Sequence, residues 1–417
     1  MDRKESIVIV GGGASGMAAA VEAARYGAPV LILEKEKRIG KKLLATGNGR
    51  CNLTNMDPDQ RYYHGQNKNR IESVLKQVPI EEILAFFKDL GITHKVEEAG
   101  KVYPYSDQAS SVLDVLMYEM DRLNVRIETE TKVMSIQQKK SGFLITTNHR
   151  NRIEAKKIIL ATGGKAGSPF GADDSGYGLA KNVGHTIIKP FPAIVQIKLQ
   201  EKWLKALNGV KWQGEAAFIA DGEVKRKEKG EILFTEYGIS GPPILQLGRL
   251  AGEEGINKKV AIALFPDWTK EAIQAEIYTR LRNCPVKPMD LALTGLLHKK
   301  MIPVLLKSAG VEKIARPSSE MTEMQINHLI QLLCNWEMNV SGTLSWQHAQ
   351  VTAGGIDTNE LCSSSMESSM APGLYLVGEI MDADGDCGGY NLHWAWCTGL
   401  IAGKHAAASL SMEKRQF

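Results

Sequence analysis

The chain has 417 residues, 43% of them hydrophobic and 24% charged. That composition is ordinarily globular, excludes long disorder, and at this length asks for two or three domains. A formal net charge of +4, from 51 basic and 47 acidic residues, neither demands nor excludes a nucleic-acid partner. The apolar run after Ser6 spans Ile7 to Val10, too short for a secretory leader. No apolar run approaches the roughly 18 residues that span a membrane. Six cysteines (Cys51, Cys284, Cys334, Cys362, Cys387 and Cys397) form no CxxC pair and no zinc-like spacing. They predict free thiols in a reducing cytoplasm, bind no predicted metal, and argue against a disulfide-reductase mechanism.

In chain order, the first element is a β-branched run, Ile7 to Val10, that reads as a buried parallel strand. Gly11, Gly13 and Gly16 follow at G-x-G-x-x-G spacing, then a helix predicted to about Tyr26, then a second strand from Pro29 to Leu33. Gly11 permits the tight turn, Gly13 lets backbone approach a pyrophosphate, and Gly16 allows close helix packing. The helix start at Ala14 and Ser15 offers free N–H groups to phosphate. Glu34, 18 residues after Gly16, is placed to accept bonds from ribose hydroxyls and disfavours a 2′-phosphate. This unit predicts a bound dinucleotide and does not by itself separate FAD from NAD.

Three later segments select FAD. The first is a Gly-rich polar loop predicted from Gly40 to Asn55, long for a simple NAD domain, with Lys42 and Arg50 able to meet phosphate or flavin oxygens. After strands predicted near 131–137, 142–147 and 152–157 comes the second, an apolar strand from Ile158 into Thr162-Gly163-Gly164. The third is a strand from Gly373 that ends at Gly378-Glu379, followed by Gly388-Gly389-Tyr390-Asn391-Leu392 and a helix predicted over 391–408. That helix start suits the flavin N1–C2=O edge, where it would stabilise the charge of reduced flavin. Both ends of the chain therefore contribute to one predicted site.

The segments GKKLLATGNGRCNLTN, GKVYP, ILATGG, TEYGISGPPIL and GEIMDADGDCGGYNLHWAWCTG carry a resemblance over essentially the whole chain. It resembles the bacterial NAD(FAD)-utilizing dehydrogenases, also labelled the aminoacetone-oxidase or BaiN/YhiN-like FAD-binding family. The resemblance implies an α/β fold: a discontinuous glutathione-reductase-like FAD-binding Rossmann domain with an inserted β subdomain and a small helical subdomain. The implied division is 1–190 with 345–417 for FAD, 191–266 for the β insert and 267–344 for the helical insert. Strands predicted at 193–199, 215–220, 231–234 and 259–264 agree, as do helices at 269–282, 289–295, 300–307 and 321–333. Thr322 and Gln325 have capping-box spacing. The resemblance also places FAD contacts on Ala14, Ser15, Glu34, Lys35, Lys42, Arg50, Cys51 and Asn52. Val133 joins them at the adenine, with Thr162, Gly163, Glu379, Asn391 and Leu392.

Flavin implies an oxidoreductase acting by hydride transfer. A second dinucleotide fingerprint is missing, so NAD(P)H is expected only as a transient donor. Family activities include reduction of conjugated C=C bonds, amine oxidation and uridine reduction in ribosomal RNA. A C=C reduction needs a proton donor, for which Tyr103, Cys51, Tyr390 and His393 are candidates and no catalytic residue is assigned. Three readings stay open: a small-molecule flavoenzyme, an RNA-modifying flavoenzyme, and a non-catalytic FAD binder. The basic run Lys225-Arg226-Lys227 with Lys229 supports the second, although interspersed acids suit a solvated hairpin tip. The sequence leaves the oligomeric state open.

Overall fold

The computed structural model describes residues 3–283 and 285–415, so Cys284 lies outside the described residues. It divides into two compact units, residues 1–191 with 350–417, and residues 192–349.

The first unit is built on a seven-stranded sheet. The strand Arg3–Val10 lies at its centre, parallel to both Val30–Leu33 and Arg152–Leu160. Arg126–Glu128 extends the sheet beyond Val30–Leu33, and Leu374–Leu376 pairs with Arg152–Leu160, both in parallel. Strands Val133–Lys139 and Gly142–Thr147 add an antiparallel ribbon. Ile7, Val8 and Ile9 have no exposed surface, as expected of a strand covered on both faces. The helix Ala14–Arg25 covers the sheet and packs against the last helix, Tyr390–Arg415. The approach is backbone-close: a Cβ on Gly399 would sit 2.5 Å from the Ser15 carbonyl oxygen, and one on Gly403 equally near that of Ala19. The small-residue face of the last helix therefore meets Ser15, Ala18 and Ala19 of the first. The chain leaves this unit on Ile187–Ala193 and returns on its paired strand Val351–Ile356.

Some elements differ from the sequence expectation. The Gly40–Asn55 loop contains a short helix, Lys41–Ala45, and a 3-10 turn at Thr46–Gly49. Leu43 is its buried anchor, an apolar residue inside a stretch that reads as polar. The last helix starts one residue earlier than predicted, at Tyr390, and runs to Arg415.

The second unit contains a closed antiparallel barrel of six strands. In order around it run Ile197–Leu199, Gly238–Ser240, Glu223–Thr235, Lys211–Ala220, Lys259–Ala263 and Trp336–Thr343. The sixth strand corrects the helical assignment of 267–344. Trp336 and Met338 alternate inward with exposed partners between them, a period-2 pattern that closes the barrel after the helices. The helices Lys270–Asn283, Met301–Ser308 and Glu323–Cys334 bury Ile277, Leu305 and Leu329 in the same core as Phe218 and Phe234 of the barrel. The β and helical parts thus share one core. The predicted capping box is present: Thr322 accepts from the Gln325 N–H, and the Gln325 side chain accepts from the Thr322 N–H. Pro242 and Pro243 open a helix as expected. The basic run lies on the outgoing strand of the hairpin just past its turn at Asp221-Gly222, with Lys225, Lys227 and Lys229 exposed, close to the expected solvated tip.

Candidate functional site

The first glycine turn is dictated by close backbone approach. Gly11 has φ +106°, and a Cβ there would lie 2.5 Å from the Ala161 carbonyl oxygen. A Cβ on Gly16 would overlap the Gly11 carbonyl. Gly13 caps the helix without any side-chain bond, and nothing lies within 4 Å of the position its Cβ would take. The first helical amides, from Ala14 and Ser15, thus have no side-chain cap at the positive end of the helix dipole, next to the open space on the Cβ side of Gly13. Gly12, which the fingerprint spacing does not single out, is equally constrained. Its Cβ would overlap Ile39, and its N–H donates to Glu34 Oε2 at 2.8 Å.

Glu34 is fixed from both sides. Its second oxygen accepts the Glu36 N–H at 2.9 Å. Each oxygen keeps a further lone pair for a hydroxyl donor. Backbone bonds from Glu34 to Glu128 and from Thr131 to Glu34 draw the 128–133 segment alongside. Val133 is thereby placed, buried, near the Glu34 end of the turn.

A second group of residues ties together four segments that are distant in sequence. Lys42 Nζ donates to Glu379 Oε2 at 2.6 Å and to the Ala166 carbonyl at 2.9 Å. Glu379 Oε1 accepts the Thr352 N–H at 2.9 Å, and Thr352 Oγ1 accepts the Ala166 N–H at 2.9 Å. Lys35 pairs with Asp173 at 2.5 Å. Burial would raise the Asp173 carboxyl, but bonds from Lys35 and Ser175 outweigh it and lower it to about 2. Arg50 donates to Asp107 Oδ1 at 2.6 and 2.8 Å, pairs with Glu97, and lies over the Tyr103 ring at 4.0 Å. The charged ends of Lys35, Lys42, Arg50 and Glu379 are thus engaged within the protein. The sequence reading has Lys and Arg of this loop free to meet phosphate or flavin oxygens, because composition does not reveal which acids the fold brings to them.

Cys51 is fully buried at φ +60°, and burial pushes its thiol up to about 12. Beside it, Asn52 Oδ1 is buried without a hydrogen-bond partner. Thr162 Oγ1 and the Tyr177 hydroxyl are buried and unpartnered as well. Next to Thr162, Gly163 has φ +71° and open space on its Cβ side. Buried polar atoms almost always have partners, so these three atoms are candidates for bonds to a bound molecule or to water.

The third turn joins this same region. A Cβ on Gly378 would lie 2.5 Å from Ser15 Oγ, and the Gly378 N–H donates to Thr398 Oγ1 at 3.0 Å. Gly389 has φ +101°, and a Cβ there would overlap the Thr54 carbonyl and lie 2.9 Å from the orphan Asn52 Oδ1. Asn391 closes a ring on Gly385, accepting its N–H at 2.8 Å and donating to its carbonyl at 2.7 Å. Tyr390 stacks on Tyr62 at 4.6 Å, and its carbonyl accepts from the Tyr63 hydroxyl at 3.0 Å. Leu392 packs against the core. His393 is fully buried, bonded to Thr54 Oγ1 at 2.8 Å, with burial lowering it to about 4. Trp396 is fully buried and donates to the Leu53 carbonyl. Both therefore act in packing.

Sequence reasoning missed Gly12, Thr352, Tyr177 and the pair His64–Asp386, bonded at 2.8 Å beside Tyr390. No short-range spacing signals them, because each depends on a partner far away in the chain.

The residues fit a flavin dinucleotide: an uncapped helix start with open space, a fixed acid at the ribose spacing, and orphan polar atoms beside the second and third turns. Residues 5–405 match the family described as HI0933-like protein Rossmann domain. The chain is 41% identical to the 3-dehydro-bile acid delta(4,6)-reductase of Clostridium scindens, over 96% of this chain and 98% of that protein. It is 30% identical to the ribosomal RNA dihydrouridine synthase of Escherichia coli, over 99% of this chain and 100% of that protein. Among solved structures, the 3-ketosteroid delta1-dehydrogenase of Sterolibacterium denitrificans aligns with TM-score 0.51 at 12% identity, covering 98% of this chain and 100% of that one. At that identity the likeness concerns the fold. The chain belongs to the HI0933-like Rossmann family and is an FAD-dependent oxidoreductase.

Proposed function

We propose that this HI0933-like flavoprotein reduces a conjugated C=C bond in a small molecule, using FAD held without a covalent link. The observation that carries the reading is the 41% identity, nearly end to end, with a reductase whose name specifies such a bond. The three glycine turns support it, since they offer the two ends of one dinucleotide different helix N-termini. Bound FAD supplies two-electron hydride transfer. The residues Gly11, Gly13, Ala14, Ser15, Gly16, Glu34 and Val133 would hold the ADP half. Asn52, Thr162, Gly163, Gly378, Gly389 and Asn391 would bound the flavin half. Lys42 and Glu379 brace the wall between them. The buried thiol of Cys51, pushed up to about 12, favours non-covalent binding, because a thiolate there is costly. Five free cysteines among the described residues support a reducing cytoplasmic location. No helix among those residues is long and apolar enough to cross a membrane.

Uridine reduction in ribosomal RNA is the second reading, favoured by the full-length similarity to the Escherichia coli protein. The basic strand argues against it. Lys225 pairs with Glu223, Arg226 with Glu228, Lys227 with Glu215 and Lys229 with Asp267. A phosphate backbone would have to displace those acids, whereas RNA binding relies on unpaired cations.

The test is an anaerobic acceptor screen with the flavin reduced by dithionite. We expect an unsaturated 3-oxo bile acid to restore the oxidised flavin spectrum and to appear as its saturated product. Restoration by a uridine-rich ribosomal RNA fragment and not by the steroid would establish the second reading instead. NADH or NADPH, added to the oxidised enzyme, is expected to bleach the band as a visiting donor.

A further inference from the structure

We infer that His64, held by Asp386, is the proton donor of this reduction. The inference rests on the C=C reading above and concerns residues that the cofactor fingerprints do not include.

The pair sits on the frame that forms the start of the last helix. Tyr63–His64 pairs antiparallel with Asp384–Gly385, with His64 opposite Asp384. The Asp386 N–H donates to the Tyr62 carbonyl at 2.9 Å. The Tyr63 hydroxyl bonds the carbonyl of Tyr390, the first residue of the helix, and Asn391 brackets Gly385. His64 is therefore locked to the turn proposed to face the flavin edge.

The chemistry of the pair suits proton transfer. His64 Nε2 lies 2.8 Å from Asp386 Oδ1, and the carboxylate is 7% exposed while the imidazole is 23% exposed. A carboxylate on Nε2 fixes the ring's orientation and its Nε2–H tautomer. Among the described residues no hydrogen bond reaches Nδ1, so that nitrogen is available to solvent or substrate. The other candidates are worse placed. His393 and Cys51 have no exposed surface. Tyr103 lies beneath the Arg50 guanidinium, and the Tyr390 ring is stacked on Tyr62 with its hydroxyl held strongly protonated by burial.

A hydride, carrying two electrons from reduced FAD, forms a C–H bond at one alkene carbon, and the π bond breaks. The adjacent carbon takes the proton from protonated Nδ1, whose N–H bond breaks with the pair retained on the ring. Water then returns a proton to Nδ1.

The experiment compares wild-type, His64→Gln and Asp386→Asn holoenzymes. Flavin content and dithionite bleaching should be unchanged in all three. Single-turnover reoxidation by the unsaturated 3-oxo bile acid should slow roughly 100-fold in His64→Gln, the scale of lost general acid catalysis. Added imidazole should restore part of that loss. Labelled-histidine NMR of the apoprotein should show the Nε2–H tautomer of His64 in the wild type and a tautomer mixture in Asp386→Asn. Reoxidation of His64→Gln at the wild-type rate would overturn the inference while leaving the C=C reading intact. Loss of flavin from that variant, with no response to imidazole, would reduce His64 to a structural brace. A wild-type enzyme that the steroid cannot reoxidise would overturn the C=C reading itself, and this inference with it.

Discussion

At the first helix, the approach to the N-terminus is made of backbone. Gly13 caps it with no side-chain bond, and the turn before it is shaped by carbonyls that exclude a Cβ from Gly11 and Gly16. At the last helix the approach is made of side chains. Tyr63, Thr54 and Asn55 each reach into the 385–393 segment from elsewhere in the chain, and Asn391 closes on Gly385 within it. The first design tolerates a polyphosphate laid directly on amides. Under the proposed reading, the second surrounds the flavin edge with oriented groups that would tune its charge. The two N-termini are joined where the helices cross, through Gly399 and Gly403 against Ser15 and Ala19.

The largest expected effect comes from separating them. In Gly399→Leu, the new side chain meets the Ser15 carbonyl, at 2.5 Å already for its Cβ, and Ala18 Cβ at 3.0 Å. Backbone cannot yield as a flexible side chain does, so we expect a loss of about 3 kcal/mol in urea unfolding. FAD should be lost with it, because Ser15 belongs to the first turn. A variant that retains both would show that the N-termini are independently supported.

A smaller effect concerns the second design alone. His393 is lowered to about 4 from its ordinary 6.5 by burial. Above pH 6.5 neither the folded nor the unfolded chain is protonated there, and the residue contributes no pH dependence. As pH falls from 6.5 toward 4, the unfolded chain takes up a proton that the folded chain refuses. Stability therefore falls over that window, by at most about 3 kcal/mol and by roughly 2 at pH 5. Urea unfolding at pH 7 and pH 5 should show this extra loss in the wild type and not in His393→Gln. An equal loss in both would place the acid sensitivity elsewhere.

The contrast also explains what could be read from the sequence. The first turn is local: strand, glycines, helix and Glu34 lie within one short stretch, so spacing carries the geometry. Parts of four barrel strands before residue 264 and the helices that follow were legible, whereas Gly238–Ser240 reads as a glycine turn and Glu223–Thr235 is recognised only at 231–234. Trp336–Thr343 was not, because a barrel strand that follows helices closes a sheet begun over a hundred residues earlier. Likewise, Lys42 reads as a free cation until the fold places Glu379 2.6 Å away. His64 reads as an ordinary histidine until Asp386 arrives from the far end of the chain. Long-range partners decide what a charged side chain does, and residue type alone does not name them.

The smallest effect sharpens the role of the orphan atoms between the two turns. Thr162 Oγ1 is buried and has no partner in the protein. Thr162→Val keeps the shape and removes the hydroxyl. Without cofactor, the substitution removes an unsatisfied group, so the apoprotein should be unchanged or more stable by about 1 kcal/mol. With FAD, the same change should weaken binding by about fivefold if the hydroxyl bonds the cofactor, since a hydrogen bond contributes about 1 kcal/mol. Thermal unfolding of the apoprotein and fluorescence titration with FAD measure the two effects separately. Opposite signs would make the hydroxyl a group held unsatisfied until the cofactor binds. Unchanged affinity would assign it to the protein's own packing, and leave the flavin half resting on Asn52, Gly389 and Asn391 at the start of the last helix.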